Sequence, residues 1–212
     1  LGYWIVSRYE DVKAVFRDNI LFSPSIVLEK ITPSPPEAAE ILNRYDYAMK
    51  RTLVNEDEPA HTERRRLLME DFLPERLEHH APMIRKLTND HIDAFIDKGR
   101  ANLVTEMFWE IPQVVALQFL GVSEEDIGDL KSFSVAHVVN TWGRPAPEEQ
   151  LAVAEGVGKF WQASGRILEK MKLDPDAPGW MQSSIRQYLK HPEIVTHSYL
   201  HSMMMAILVA AH

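Results

Sequence analysis

Apolar residues recur along most of this chain at spacings of three and four, the repeat that sets one side of a helix against a core. Val12, Val15 and Phe16 predict a helix over residues 10–17, after a short strand at residues 3–6. Residues 23–36 carry Pro24, Pro33, Pro35 and Pro36, so an irregular loop of the kind that often lines a site is expected there. A short helix over residues 38–49 follows. The next helix is capped by Asp57 or Glu58, holds Pro59 in its first turn, where a missing N–H costs nothing, and runs to about Phe72 before Pro74. Pro82 opens a longer helix, whose apolar stripe at positions 83, 84, 87, 91, 92, 95 and 96 closes at Gly99.

Residues 101–104 read as a brief extended piece, and residues 108–120 as an apolar helix stopped by Gly121. Ser123, Glu124, Glu125 and Asp126 form a strong helix start, and that helix continues to about Thr141. A turn at residues 143–147 leads into a long helix over residues 148–171, which the short turn makes antiparallel to its predecessor. A surface turn at residues 174–179, a helix over residues 181–189 and a final helix after Pro192 complete the chain. The apolar run at residues 203–211 is about half of what a membrane span needs, so it reads as a buried core helix and no membrane anchor is expected. Mainly α structure with a minor β-sheet near the N-terminus is therefore predicted.

Composition narrows the class. With 45% hydrophobic and 25% charged residues the chain is expected to be globular, and its 212 residues suffice for one domain or a large part of one. The net charge of −8 argues against a nucleic-acid partner, whose footprint would be basic. Cysteine is absent, which excludes a disulfide, a thiolate metal ligand or a cysteine nucleophile within these residues and is compatible with a cytoplasmic location. The chain starts on Leu1 without a visible signal peptide, and it stops within a helix-compatible stretch. Residues 1–212 are thus expected to be a partial domain, truncated at both ends, with no second domain.

One local pattern stands out chemically. His61 and Arg65 lie four apart at the start of a helix, a place whose partial positive charge and free N–H groups favour anions. Two cationic donors stacked there repel one another mildly, so an anion is expected between them.

The neighbours of that pair resemble a known family. Asp57, Pro59, His61, Thr62, Arg65 and Arg66, followed by Phe72 and Pro74, are similar to the aspartate-proline-histidine-arginine helix of bacterial cytochromes P-450, the heme-thiolate monooxygenases. Residues 3–12 resemble the strand and helix near that family's N-terminus, and residues 204–212 the start of its long central helix. The Met-rich central helix also resembles the self-sufficient bacterial members that carry a fused reductase.

The resemblance implies an incomplete P-450 fold, heme b (iron protoporphyrin IX) as cofactor, and insertion of one atom of dioxygen into a small organic substrate. Electrons would come from NAD(P)H through a reductase or ferredoxin. It also implies roles for residues. His61 and Arg65 would hold a heme propionate, Phe72 and Val54 would pack near the porphyrin, and Ala210 and Ala211 would lie on the oxygen side. Ala206 and Val209 would face the substrate. Ile26, Val27 and Leu28 of the proline-rich loop are further candidates for the pocket, or else an apolar anchor for the loop.

Departures from the family pattern are few. Glu58 replaces a common proline and Ala60 a common glutamate, changes expected to leave the propionate donors untouched. Ala211 replaces a common glycine, tightening the space beside the oxygen site. The axial cysteine is missing, so this chain alone supplies no thiolate and is not expected to be active by itself.

Other readings account for less. Arg64, Arg65 and Arg66 could be a solvated helix face, but that leaves the flanking match unexplained. His197 and His201 share metal-ligand spacing, yet no glutamate follows the first and no third ligand suggests itself. His79 and His80 belong to no metal motif. A helical ligand-binding transcription regulator has similar length and helix content, but needs a basic helix-turn-helix near one end. Residues 1–20 instead give a strand and a helix containing Glu10, Asp11 and Asp18.

Overall fold

In a computed structural model, residues 4–211 are described. The apolar spacing is realised in helices α1 (Tyr9–Arg17), α2 (Pro36–Arg44), α3 (Ala60–Leu68), α4 (Pro74–Leu77) and α5 (Ala81–Phe95). They are followed by α6 (Ile111–Leu120), α7 (Glu124–Trp142), α8 (Gln150–Met171), α9 (Trp180–Lys190) and α10 (His197–Ala210).

No strand occurs among the described residues, which corrects the expected N-terminal sheet. A strand exists only by pairing, and nothing in residues 4–211 offers residues 4–6 a ladder partner; Tyr3 lies outside the described residues. The extended piece expected at residues 101–104 is also corrected. Asn102 caps a turn there, its side chain accepting from the Val104 N–H at 3.1 Å, and a π-helical turn, Val104–Phe108, follows. Helix α2 ends sooner than expected, because Asp46 adopts a left-handed backbone (φ 52°).

The long antiparallel pair α7 and α8 forms the scaffold. The short connection makes them antiparallel, and Lys170 late in α8 accordingly pairs with Glu125 and Asp126 at the start of α7. The two helices approach closely where Gly156 faces Ala136, for a Cβ on Gly156 would lie 2.5 Å from the Ala136 methyl. Helix α8 buries Ala154, Val157, Phe160, Trp161, Ser164 and Ile167 along one stripe, the repeat that places successive side chains on one face.

The expected core helix, α10, buries Tyr199 to Met205, Leu208 and Val209, so it is enclosed nearly all round. The hydroxyl of Thr196 accepts the Tyr199 N–H at 3.2 Å and caps its start. Around α10 gather Leu117 and Leu120 of α6, Leu168 of α8 and Trp180 and Met181 of α9, each worth about 1.5–3 kcal/mol when fully buried. The Trp180 indole N–H donates to the Leu68 carbonyl at 2.8 Å, joining the end of α3 to this core.

Candidate active site

Helix α3 carries the cationic residues singled out above, and its three consecutive arginines separate by role. Arg64 turns inward, where it pairs with the buried carboxylate of Glu56, donates from Nε to the Ile194 carbonyl at 2.8 Å, and lies 4.6 Å from the centre of the Tyr199 ring. Arg65 and Arg66 are exposed. Arg65 has no hydrogen-bond or ion-pair partner among the described residues.

The helix starts differently from the expectation. Glu58, expected to be neutral toward the pair, accepts the Thr62 N–H at 3.1 Å and lies 3.1 Å from His61 Nδ1. The hydrogen bonds from Thr62 and His61 hold the Glu58 carboxyl below the usual carboxylate range. An anion therefore does sit beside His61, and the chain supplies it. The Nε2 edge of the ring remains for a second acceptor.

A cavity of about 270 Å³ lies between α10, the C-terminal end of α7, the segment at residues 47–54 and the proline-rich loop. Its walls are mostly apolar, with Met203 and Ile207 opposite Leu53 and Met49. Among the expected pocket and heme-side residues, Leu28, Val54, Ala206, Val209 and Ala210 line it together. Two small side chains, Ala206 and Ala210, leave much of the room on the α10 side.

Ile26 and Val27, also expected at the pocket, are not in the lining of this cavity. The loop turns back on itself twice, with Val27 N–H bonded to Pro24 O and Glu29 N–H to Ile26 O, both 2.9 Å, and of these three apolar candidates Leu28 alone is in the lining. Ala211 ends α10 outside the lining. Phe72 is 38% exposed and packs instead against Phe119, at 4.8 Å between ring centres, and Trp180, at 6.3 Å. His61 and Arg65 also stand outside the cavity.

The loop is fastened to α7 largely by backbone groups. Ile31 N–H donates to Thr141 O at 3.3 Å, Thr32 Oγ1 to Gly143 O at 3.2 Å, and Trp142 Nε1 to Val27 O at 3.5 Å. On the other side, Lys50 N–H donates to the Ser202 hydroxyl at 2.9 Å, tying residues 47–54 to α10.

Several polar lining residues escaped the sequence reading: Lys30, Tyr47, His137 and Asn140. Burial pushes His137 down to about 4, with the Lys30 charge adding to the effect, so its ring is neutral near pH 7. Burial also pushes Tyr47 up to about 12. The available signal was His137 itself, a lone ionisable group within the apolar run Val135, Ala136, Val138 and Val139.

His197 and His201 do not converge on a metal. His197 Nε2 pairs with Glu169 at 2.6 Å on the surface, while His201 is buried against Trp161. His201 Nε2 lies 2.8 Å from Trp161 O and 3.0 Å from Ser164 Oγ. Among the described residues no group of three potential ligands could hold a metal ion, and no helix is long and apolar enough to cross a membrane.

No protein-family model matches the chain. Cytochrome P-450 130 of Mycobacterium tuberculosis is 32% identical over 173 residues, covering 82% of this chain and 40% of that protein. The heme domain of a cytochrome P-450 from Acinetobacter radioresistens superposes with a TM-score of 0.92 at 62% identity, over 100% of this chain and 51% of that one. An intact type IV self-sufficient cytochrome P-450 monooxygenase superposes with a TM-score of 0.94 at 65% identity, over 100% of this chain and 28% of that one. The chain spans half or less of the length of the curated relatives it matches. With sequence relatives and structural matches that span all of these residues agreeing in kind, the chain belongs to the cytochrome P-450 family.

Proposed function

We propose that this chain forms the propionate edge and the substrate-facing wall of a heme-dependent monooxygenase, which inserts one atom of dioxygen into a small organic substrate. The observation that carries the reading is the cavity itself: Ala206, Val209 and Ala210 of α10 meet Val54 and Leu28 around an apolar space. Its supporting context is the kinship with P-450 heme domains.

The residues present fit heme b in two respects. Arg65 is an exposed guanidinium without a partner among the described residues, on the helix whose start also presents His61, and a carboxylate would complete both. Small and apolar side chains on α10 suit a flat macrocycle and a small gas. His61 would donate from Nε2, since Nδ1 faces Glu58. Val54 is the cavity residue proposed to pack near the porphyrin, and Phe72 would reach it only from its separate aromatic cluster with Phe119. Bound heme supplies the oxygen-activating chemistry, and a thiolate from sequence outside these 212 residues would complete its ligation.

The remaining tasks belong to the chain. Ala210, and next to it Ala211, keep the oxygen side open, Ala206 and Val209 shape the substrate's resting place, and the loop at Leu28 excludes water. Electrons would come from NAD(P)H through a reductase, and the self-sufficient neighbour makes a fused reductase the favoured arrangement. A cytoplasmic location belongs to the same reading.

The test is spectroscopic. The reduced, carbon-monoxide-bound complete protein is expected to show the red-shifted Soret band of thiolate-ligated heme, and a histidine-type spectrum would sink the assignment. His61→Ala with Arg65→Ala is expected to weaken heme retention. Unchanged retention removes both residues from the site.

A further inference from the structure

One end of the cavity is chemically unlike the rest. His137, Asn140 and Thr141 occupy one face of α7, and Lys30 is brought beside them by the bond from Ile31 N–H to Thr141 O. No aspartate or glutamate lines the cavity, and Lys30 is its basic lining residue, with burial drawing the ammonium below the usual lysine range. Its ammonium is half-buried and donates to the Ser34 hydroxyl at 2.7 Å, with no carboxylate partner among the described residues.

His137 adds an independent sign. Only 5% of the residue is exposed, it lines the cavity, and its Nδ1 is buried without a hydrogen-bond partner. A buried ring nitrogen left unpaired is costly, and native structures rarely keep one without a use. Thr141 does not relieve it, because its hydroxyl is spent on the His137 carbonyl at 3.0 Å.

We propose that Lys30, Asn140 and His137 form a subsite for an anionic oxygen group, so that the cavity selects substrates with an apolar body ending in a carboxylate. The inference rests on the monooxygenase reading for the word substrate, but the binding it describes does not require the chemistry. Lys30 supplies the charge, the Asn140 amide a neutral hydrogen-bond donor, and the unpaired His137 ring a polar wall in place of an apolar one. The apolar body lies toward Met203, Ala206 and Ile207. An acid held at the α7 end presents its far end to the α10 residues, so the same contact that recognises the substrate also orients it.

The test uses the complete protein and calorimetric titration with 4-phenylbutyrate, its methyl ester and butylbenzene. The acid is expected to bind about tenfold or more tightly than the ester, the size of one charge-assisted contact in a partly desolvated site. Lys30→Met is expected to abolish that preference while butylbenzene still binds, and Asn140→Leu to reduce it. Equal binding of acid and ester by the unmodified protein overturns the proposal, as does a preference that survives Lys30→Met. Butylbenzene binding reports whether each variant keeps its cavity. The Soret band of the carbon-monoxide complex is read separately, so a missing thiolate signature with an intact acid preference defeats the monooxygenase reading alone.

Discussion

Arg64 and Glu56 form an ion pair whose carboxylate is almost sealed from water, with Glu56 only 7% exposed. The guanidinium also holds the Ile194 carbonyl and covers the Tyr199 ring, so it binds α3 to the start of α10. Arg64→Met strands a buried charge and is expected to destabilise the complete protein by about 3–5 kcal/mol. Arg66→Met, at an exposed position, is expected to stay within about 0.5 kcal/mol of the parent. Urea midpoints of the two variants check this, and equal midpoints would contradict it.

Two buried histidines set the response to acid. His137 and His201 both have folded pKa values of about 4, chiefly through burial, against 6.5 when unfolded. Above pH 6.5 both states hold them neutral. Between pH 6.5 and 4 the unfolded chain takes up the protons first, so stability falls with falling pH, by up to about 3 kcal/mol for each histidine. Unfolding midpoints measured from pH 7 to pH 4 are expected to flatten in His137→Phe and in His201→Phe. An acid limb as steep as the parent's in both variants would rule out this origin.

The crossing of α2 and α8 depends on a missing side chain. A Cβ on Gly158 would lie 2.2 Å from Cδ2 and 2.4 Å from Cγ of Tyr45, near the base of the ring where the side chain has least freedom to move. The Tyr45 hydroxyl is also engaged, donating to Glu155 at 2.6 Å. Gly158→Ala is expected to cost about 1–3 kcal/mol through overpacking, despite the better helix propensity of alanine. A thermal midpoint at or above the parent's would show that the helices part without cost.

Filling the cavity separates binding of the substrate from binding of heme. Ala206→Phe adds an aromatic ring to a space of about 270 Å³ and is expected to lower affinity for an apolar ligand at least tenfold. Heme content, measured from absorbance per protein, is expected to fall less than ligand affinity, because the proposed propionate donors His61 and Arg65 stand outside this cavity. Unaltered ligand affinity would mean that ligands do not enter beside Ala206.

Helix positions were legible wherever periodicity and punctuation agreed. The Ser123 start and the turn after Thr141 locate α7, and Gly121, with a left-handed φ of 84°, closes α6 as its sequence position implied. Whether residues 4–6 of the expected strand find a partner was not legible, because pairing is a property of two segments and the local pattern describes one. Within the site, α10 could be read because its small residues follow a family pattern. Lys30 and His137 could not be, since they meet only when a loop folds across the end of a helix more than a hundred residues away. The Glu58 contact with His61 was missed for the opposite reason: it is so local that a pattern counting only cations passed over it.

The attachment of the proline-rich loop to α7 has a consequence for redesign. Ile31 and Val27 hold on through main-chain atoms, which every residue type except proline provides alike. Leu28 and Lys30 can therefore be exchanged while the strap stays fastened, which makes them the natural positions at which to retarget what the cavity admits.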